Sequence, residues 1–178
     1  MEHQKLVLDK ITSILEGTDK GHEEKLVHLL DGASRIFLAG AGRSGLITKF
    51  FAMRLVHSGY DVSLVGEVVT PSIKSGDLLI IISGSGETKQ LAAFAEKAKS
   101  IGAKIVLISA KSGSTIGDLS EAVFNIGTPD MYTPVKGMPM GTVFELSTLI
   151  FLESLVSHLI HEKGIPEEEM RARHANLE

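Results

Sequence analysis

The 178-residue chain contains no cysteine. Disulfides and thiol chemistry are therefore excluded, and redox places no constraint on the compartment. Positive charge is not in excess either. Eighteen Lys and Arg face 22 Asp and Glu, a net charge of −4, which gives no support to a nucleic-acid surface. The opening Met1-Glu2-His3-Gln4-Lys5 lacks the pattern of a secretory signal. No apolar run approaches the roughly 20 residues of a membrane span. These absences predict a cytoplasmic protein without membrane or nucleic-acid partners. The length favours a single domain over 1–178 with a full core.

The stretch that organises the chain is Leu78-Leu79-Ile80-Ile81-Ile82 followed by Ser83-Gly84-Ser85-Gly86-Glu87-Thr88. Five branched apolar residues in succession predict a strand buried on both faces, as in the middle of a parallel sheet. Lys89-Gln90-Leu91-Ala92-Ala93-Phe94-Ala95 then restarts with helical periodicity. A strand, a tight turn of small residues and a helix together aim backbone N–H groups at an anion. Gly84 and Gly86 allow the turn and leave room for a ligand. Ser83, Ser85 and Thr88 add hydroxyls, and the helix dipole favours negative charge at that mouth. The ligand these features imply carries a phosphate.

The rest of the chain supports an α/β fold. Helices are expected over Gln4–Glu16 and His22–Asp31, an N-terminal pair within 1–32 that caps the sheet or mediates subunit contact. Strand one is expected over Arg35–Ala39, a helix over Leu46–His57 and strand two over Asp61–Val65. Glu67–Asp77 reads as a connection, Lys104–Ser109 as strand four and Ala122–Ile126 as strand five. Gly127–Met140, with three prolines and two glycines, reads as a mobile loop over a site.

Gly40-Ala41-Gly42-Arg43-Ser44-Gly45 matches the dinucleotide fingerprint G-x-G-x-x-G. Its acidic partner should end the next strand. Asp61 would begin that strand and Glu67 falls after it, which counts against NAD. Aligning Gly40 and Gly42 with Gly84 and Gly86 also aligns Ser44 with Thr88. The chain is thus expected to use one strand–glycine–hydroxyl–helix device twice, with both turns converging on a compact phosphorylated ligand. The alternative is that the glycines only permit tight turns.

Gly141–Glu162 is the longest expected helix and is apolar on more than one face, so it should be substantially buried. Glu145 lies near its start, either complementing the helix dipole or serving as a base at the floor of a pocket. His158 and His161 are spaced i,i+3 but lack a third ligand, and read as solvated residues rather than a metal pair. Gly164-Ile165-Pro166 ends the helix, and Glu167–Arg173 forms a final turn before the tail.

Four segments carry a resemblance: Gly42-Arg43-Ser44-Gly45, Ser83–Thr88, Met140-Gly141-Thr142-Val143-Phe144-Glu145, and Arg173-His174-Ala175-Asn176-Leu177-Glu178. The chain resembles the sugar isomerase (SIS) domain family essentially from end to end. The resemblance implies a three-layer α/β/α sandwich, flavodoxin- or Rossmann-like, around a five-stranded parallel sheet, and a homotetramer. It implies interconversion of D-arabino-3-hexulose 6-phosphate and D-fructose 6-phosphate, the step after formaldehyde fixation in the ribulose monophosphate pathway. Carried over by residue, Ser44 and Ser83, Gly84, Ser85, Gly86, Glu87 and Thr88 bind the phosphosugar. Glu145 matches the family's catalytic base and His174 a histidine completing the site. Arg43 could balance phosphate or enediolate charge, or be a surface arginine. No cofactor and no metal are implied. The tail 164–178 is expected to dock on a neighbouring subunit, so that sites form at interfaces. The competing expectations are an isomerase of another phosphosugar, such as arabinose 5-phosphate or sedoheptulose 7-phosphate, and a non-catalytic sugar-phosphate sensor.

Overall fold

Leu78–Ile82 has only apolar side chains to offer on either face, and the fold uses both. In the computed structural model, which describes residues 2–127 and 135–177, this segment is β3 and all five residues are buried. Leu78, Ile80 and Ile82 enter one hydrophobic cluster, and Leu79 and Ile81 the other, as the two-residue period of a strand requires. Burying side chains of this size stabilises by roughly 1.5–3 kcal/mol each.

β1 (Ile36–Gly40) and β4 (Lys104–Ser109) flank β3, with β2 (Val62–Leu64) and β5 (Ala122–Asn125) at the edges. The order is β2-β1-β3-β4-β5 and every pairing is parallel. Helices α1 (Glu2–Glu16), α2 (His22–Asp31), α3 (Gly42–His57) and α6 (Thr142–Lys163) cover the face of Ile80. On the face of Ile81 lie α4 (Lys89–Ile101) and α5 (Thr115–Leu119). The expected three-layer sandwich around a five-stranded parallel sheet is what forms.

Three elements differ from the sequence reading. α3 starts at Gly42, not Leu46, because two glycines let the helix lie against the end of β1. A Cβ on Gly40 would stand 2.9 Å from Ser44 O, and one on Gly45 2.9 Å from Gly40 O. α5 was not expected. Its five residues are too few to show a period, although Ser114 caps them by accepting the Gly117 N–H. α6, finally, is long and apolar enough to cross a membrane by length and composition, contrary to the expectation that no run approaches that length. Half of its most apolar window is buried inside the protein, where it packs against α1, α2 and α3. Most of the expected loop Gly127–Met140 lies outside the described residues. The short α7 (Glu167–Ala172) buries none of its residues.

Candidate active site

β1 and β3 are neighbours in the sheet, and from them the strand order runs off in opposite directions. Ligands of open α/β sheets bind at such a switch point, beyond the carboxyl ends of the strands. Gly40 is in register with Ile82, so Ala41 and Ser83 leave the sheet on adjacent strands, about 4.8 Å apart. From there the two segments differ. α3 begins two residues after Gly40, which puts Arg43 and Ser44 in its first turn. After Ile82, six residues intervene before α4, with Thr88 as the extended N-cap. The expected repeat is thus two unlike constructions at one corner of the sheet.

The Ser83–Thr88 loop is braced from behind. Gly86 N–H donates to both the carbonyl and the hydroxyl oxygen of Ser83, each at 3.2 Å. Gly84 O accepts from Ser109 Oγ and from Ala110 N, again at 3.2 Å, and Gly86 O from Ile116 N at 3.1 Å. Ser85 Oγ accepts the Glu87 N–H at 3.2 Å. Gly86 takes φ +66°, and a Cβ there would stand 2.1 Å from Ser114 Oγ, so this position admits no side chain. The Thr88 side chain makes no capping bond to α4.

Glu87 was expected among the substrate-binding residues. Its Oε2 accepts the Thr115 hydroxyl at 2.7 Å and its Oε1 the Thr115 N–H at 2.9 Å. These bonds, the hydroxyl's first, hold the carboxyl below its usual range. The negative charge in this loop is in this way committed to the start of α5. Ser109, Ser114 and Thr115, which carry this bracing, were not picked out in the sequence. The break after strand four, Ala110-Lys111-Ser112-Gly113-Ser114, is as rich in small residues as the one after strand three and was the available signal.

Glu145 lies in the first turn of α6 with its side chain 13% exposed, and Arg43 Nε donates to its Oε2. The fold therefore brings Arg43, Ser44 and Glu145 to the amino end of α3. His174 is elsewhere. Its ring stacks on that of His57, the last residue of α3, with centroids 5.1 Å apart. Arg43 and His57 are fourteen positions apart along the helix, about 21 Å at 1.5 Å per residue. Within one chain, the two candidate catalytic residues lie at opposite ends of α3.

The dinucleotide alternative loses its acidic partner. Asp61 precedes β2 and is bonded to Arg35 at 2.7 Å, and Glu67 pairs with Lys49 at 3.2 Å. His158 Nε2 faces Glu162 at 3.6 Å. Among the described residues no group of three or more His, Asp or Glu gathers to hold a metal.

The SIS domain family matches residues 29–153. The chain belongs to that family. It is 53% identical over 179 residues to the 3-hexulose-6-phosphate isomerase of Methylomonas aminofaciens, with 99% of both chains covered. To the protein of the same name from Bacillus subtilis it is 42% identical, over 85% of this chain and 83% of that one. Among solved structures, a Methanococcus jannaschii protein superposes with a TM-score of 0.88 at 36% identity, over the whole of both chains. For that protein the function of 3-hexulose-6-phosphate isomerase was inferred from its structure. The matched segment of this SIS domain runs from α2 into α6 and so contains both βα corners and Glu145, while His174 lies beyond it.

Proposed function

We propose that this SIS domain is an enzyme that interconverts D-arabino-3-hexulose 6-phosphate and D-fructose 6-phosphate, a 6-phospho-3-hexuloisomerase. The observation that carries the proposal is the 53% identity, end to end, to a protein of that name. The residues at the corner of β1 and β3 suit the chemistry.

Moving the carbonyl from C3 to C2 takes a proton from C2 and returns one to C3 through an enediolate. Carbon is oxidised at one position and reduced at the next, so the reaction has no net redox and calls for no redox cofactor. The phosphate is held at the Ser83–Thr88 loop by the hydroxyls of Ser83, Ser85 and Thr88, on a turn that Gly84 and Gly86 shape, with Ser44 on the facing turn. Glu87 supports this loop through Thr115. Glu145, on one face of the sugar, serves both carbons as the base. Arg43, bonded to that carboxylate in the free protein, turns its charge to the enediolate oxygen.

His174 enters from a second copy. Leu46, Phe50, Met53 and Val56 are 67, 44, 51 and 40% exposed, and their spacing places them along one side of α3. A copy laid antiparallel on that stripe carries its His57 end, and His174 with it, to the Glu145 end of the first. The imidazole then relays the hydroxyl proton or helps open the sugar ring. A homotetramer of two such pairs is the assembly we assign. Phosphorylated sugars are charged and confined by membranes, so the enzyme belongs in the cytoplasm. It follows formaldehyde fixation in the ribulose monophosphate route.

The test is conversion of fructose 6-phosphate in the presence of an aldolase that cleaves 3-hexulose 6-phosphate. Formaldehyde release that depends on this protein is expected. Its absence with the protein folded overturns the proposal.

A further inference from the structure

His57 is 7% exposed, and the reaction as described makes no use of it. Its ring lies against that of His174, with centroids 5.1 Å apart and planes 29° from parallel. Its carbonyl oxygen accepts Arg173 Nη1 at 3.0 Å, and Arg173 Nη2 donates to Glu169 Oε2, also at 3.0 Å. One residue of α3 therefore holds two successive residues of the tail. His174 Nδ1 lies 2.9 Å from Ala175 O. A carbonyl only accepts, so Nδ1 carries the hydrogen, and in the neutral ring Nε2 keeps its lone pair.

We propose that His57 is a positioning residue for His174: its buried ring is the flat support that fixes the plane of the tail imidazole, and with it the Nδ1–H tautomer and the direction of Nε2. The inference rests on the reading that His174 serves the site of a second copy. The reason is local. His174 is exposed, as are the residues around it from Arg171 to Leu177, and α7 buries nothing. Within its own chain the tail ring therefore lies at the surface, where a side chain samples several rotamers unless a neighbour holds it. A proton relay tolerates only about 10–20° of misorientation, and the ring of His57, stacked on the tail imidazole, is placed to hold it within that range.

Two substitutions in the intact oligomer separate the possibilities. His57→Gln keeps polarity and the carbonyl that anchors Arg173 but removes the plane; His57→Phe keeps a plane. Each is assayed on fructose 6-phosphate, and each is labelled with 15N-histidine to read the His174 tautomer by NMR. His57→Gln is expected to lower kcat by about 10- to 100-fold, with KM little changed. Its His174 signals should shift from the single Nδ1–H form to a mixture. His57→Phe should keep most of the rate and the wild-type tautomer. If the Gln variant fails to melt as a folded protein, His57→Leu takes its place in the comparison.

Wild-type kcat and tautomer in the planeless variant overturn the proposal. Equal loss in the planeless and Phe variants, with the tautomer unchanged, overturns it as well. Full activity of His174→Ala would instead remove His174 from the reaction. The tautomer comparison would then still decide whether His57 orients the ring.

Discussion

Arg43, in the first turn of α3, donates its Nε hydrogen to Oε2 of Glu145, 102 residues further along at the start of α6. The arginine side chain is 64% exposed and the carboxylate 13%, so the guanidinium lies over a carboxylate set deeper in the corner. In Glu145→Gln the side chain keeps its size but cannot take a proton, and kcat should fall by about 10²–10⁴ with phosphosugar affinity retained. In Arg43→Ala the enediolate loses a charged donor, and kcat should fall by about 10². Steady-state kinetics of both variants checks this. A rise in KM alone for Arg43→Ala would assign that residue to ground-state binding.

Ser44 and Thr88 stand on the two turns that leave adjacent strands. Groups that hold the phosphate do so in ground and transition states alike, so Ser44→Ala and Thr88→Ala should raise KM with kcat nearly kept. A lost hydrogen bond to a charged group is worth about 1.5–3 kcal/mol, which is a rise of roughly 10- to 100-fold. Unchanged KM in both variants would remove the convergence of the two turns.

Glu87 predicts a pH dependence. Its carboxyl is held below the usual value of 4.5 by the Thr115 hydroxyl and N–H. A folded-state pKa depressed in this way gives stability that is complete above the unfolded value and lost as pH falls through the folded one. The wild type should therefore lose melting temperature, relative to Glu87→Gln, as pH is lowered from about 5 toward 3. The difference between the two should be flat from pH 6 to 8. Melting curves across this range are the check, and parallel curves throughout would contradict the role given to the clamp.

The opposite placement of Glu145 and His174 along α3 predicts complementation. Neither Glu145→Gln nor His174→Ala alone should support turnover near the wild-type rate. Co-expressed, the two chains should form mixed oligomers in which some sites combine an intact Glu145 from one chain with an intact His174 from the other. Activity well above either parent is expected from purified mixed oligomers. Activity no higher than the parents would place both residues in one subunit's site.

How far the sequence could be read depended on the range of the interaction. β3 and the start of α4 at Lys89 are written locally, in a five-residue apolar run and in the return of helical periodicity. The start of α3 was misplaced by four residues because Leu46 is its first large apolar residue. The helix begins earlier because Gly40 and Gly45 let backbone meet backbone, a contact with no apolar signature. The Ser83–Thr88 loop was legible as a motif, but the partner of Glu87 is 28 residues away, in a helix too short for periodicity to reveal. His174 could be named from resemblance. Its place at the far end of α3 depends on a ring contact with His57 that links residues 117 positions apart in the chain.

The isomerase assignment is tested most directly by fructose 6-phosphate in D₂O, read by NMR for the position of the label. The account predicts deuterium at C3 of the recovered fructose 6-phosphate and at C2 of the 3-hexulose 6-phosphate formed, with both reduced to background in Glu145→Gln. Deuterium at C1 would mean an aldose–ketose isomerase working on the other side of the carbonyl. No label at C3, or a C3 label undiminished in Glu145→Gln, would contradict the account.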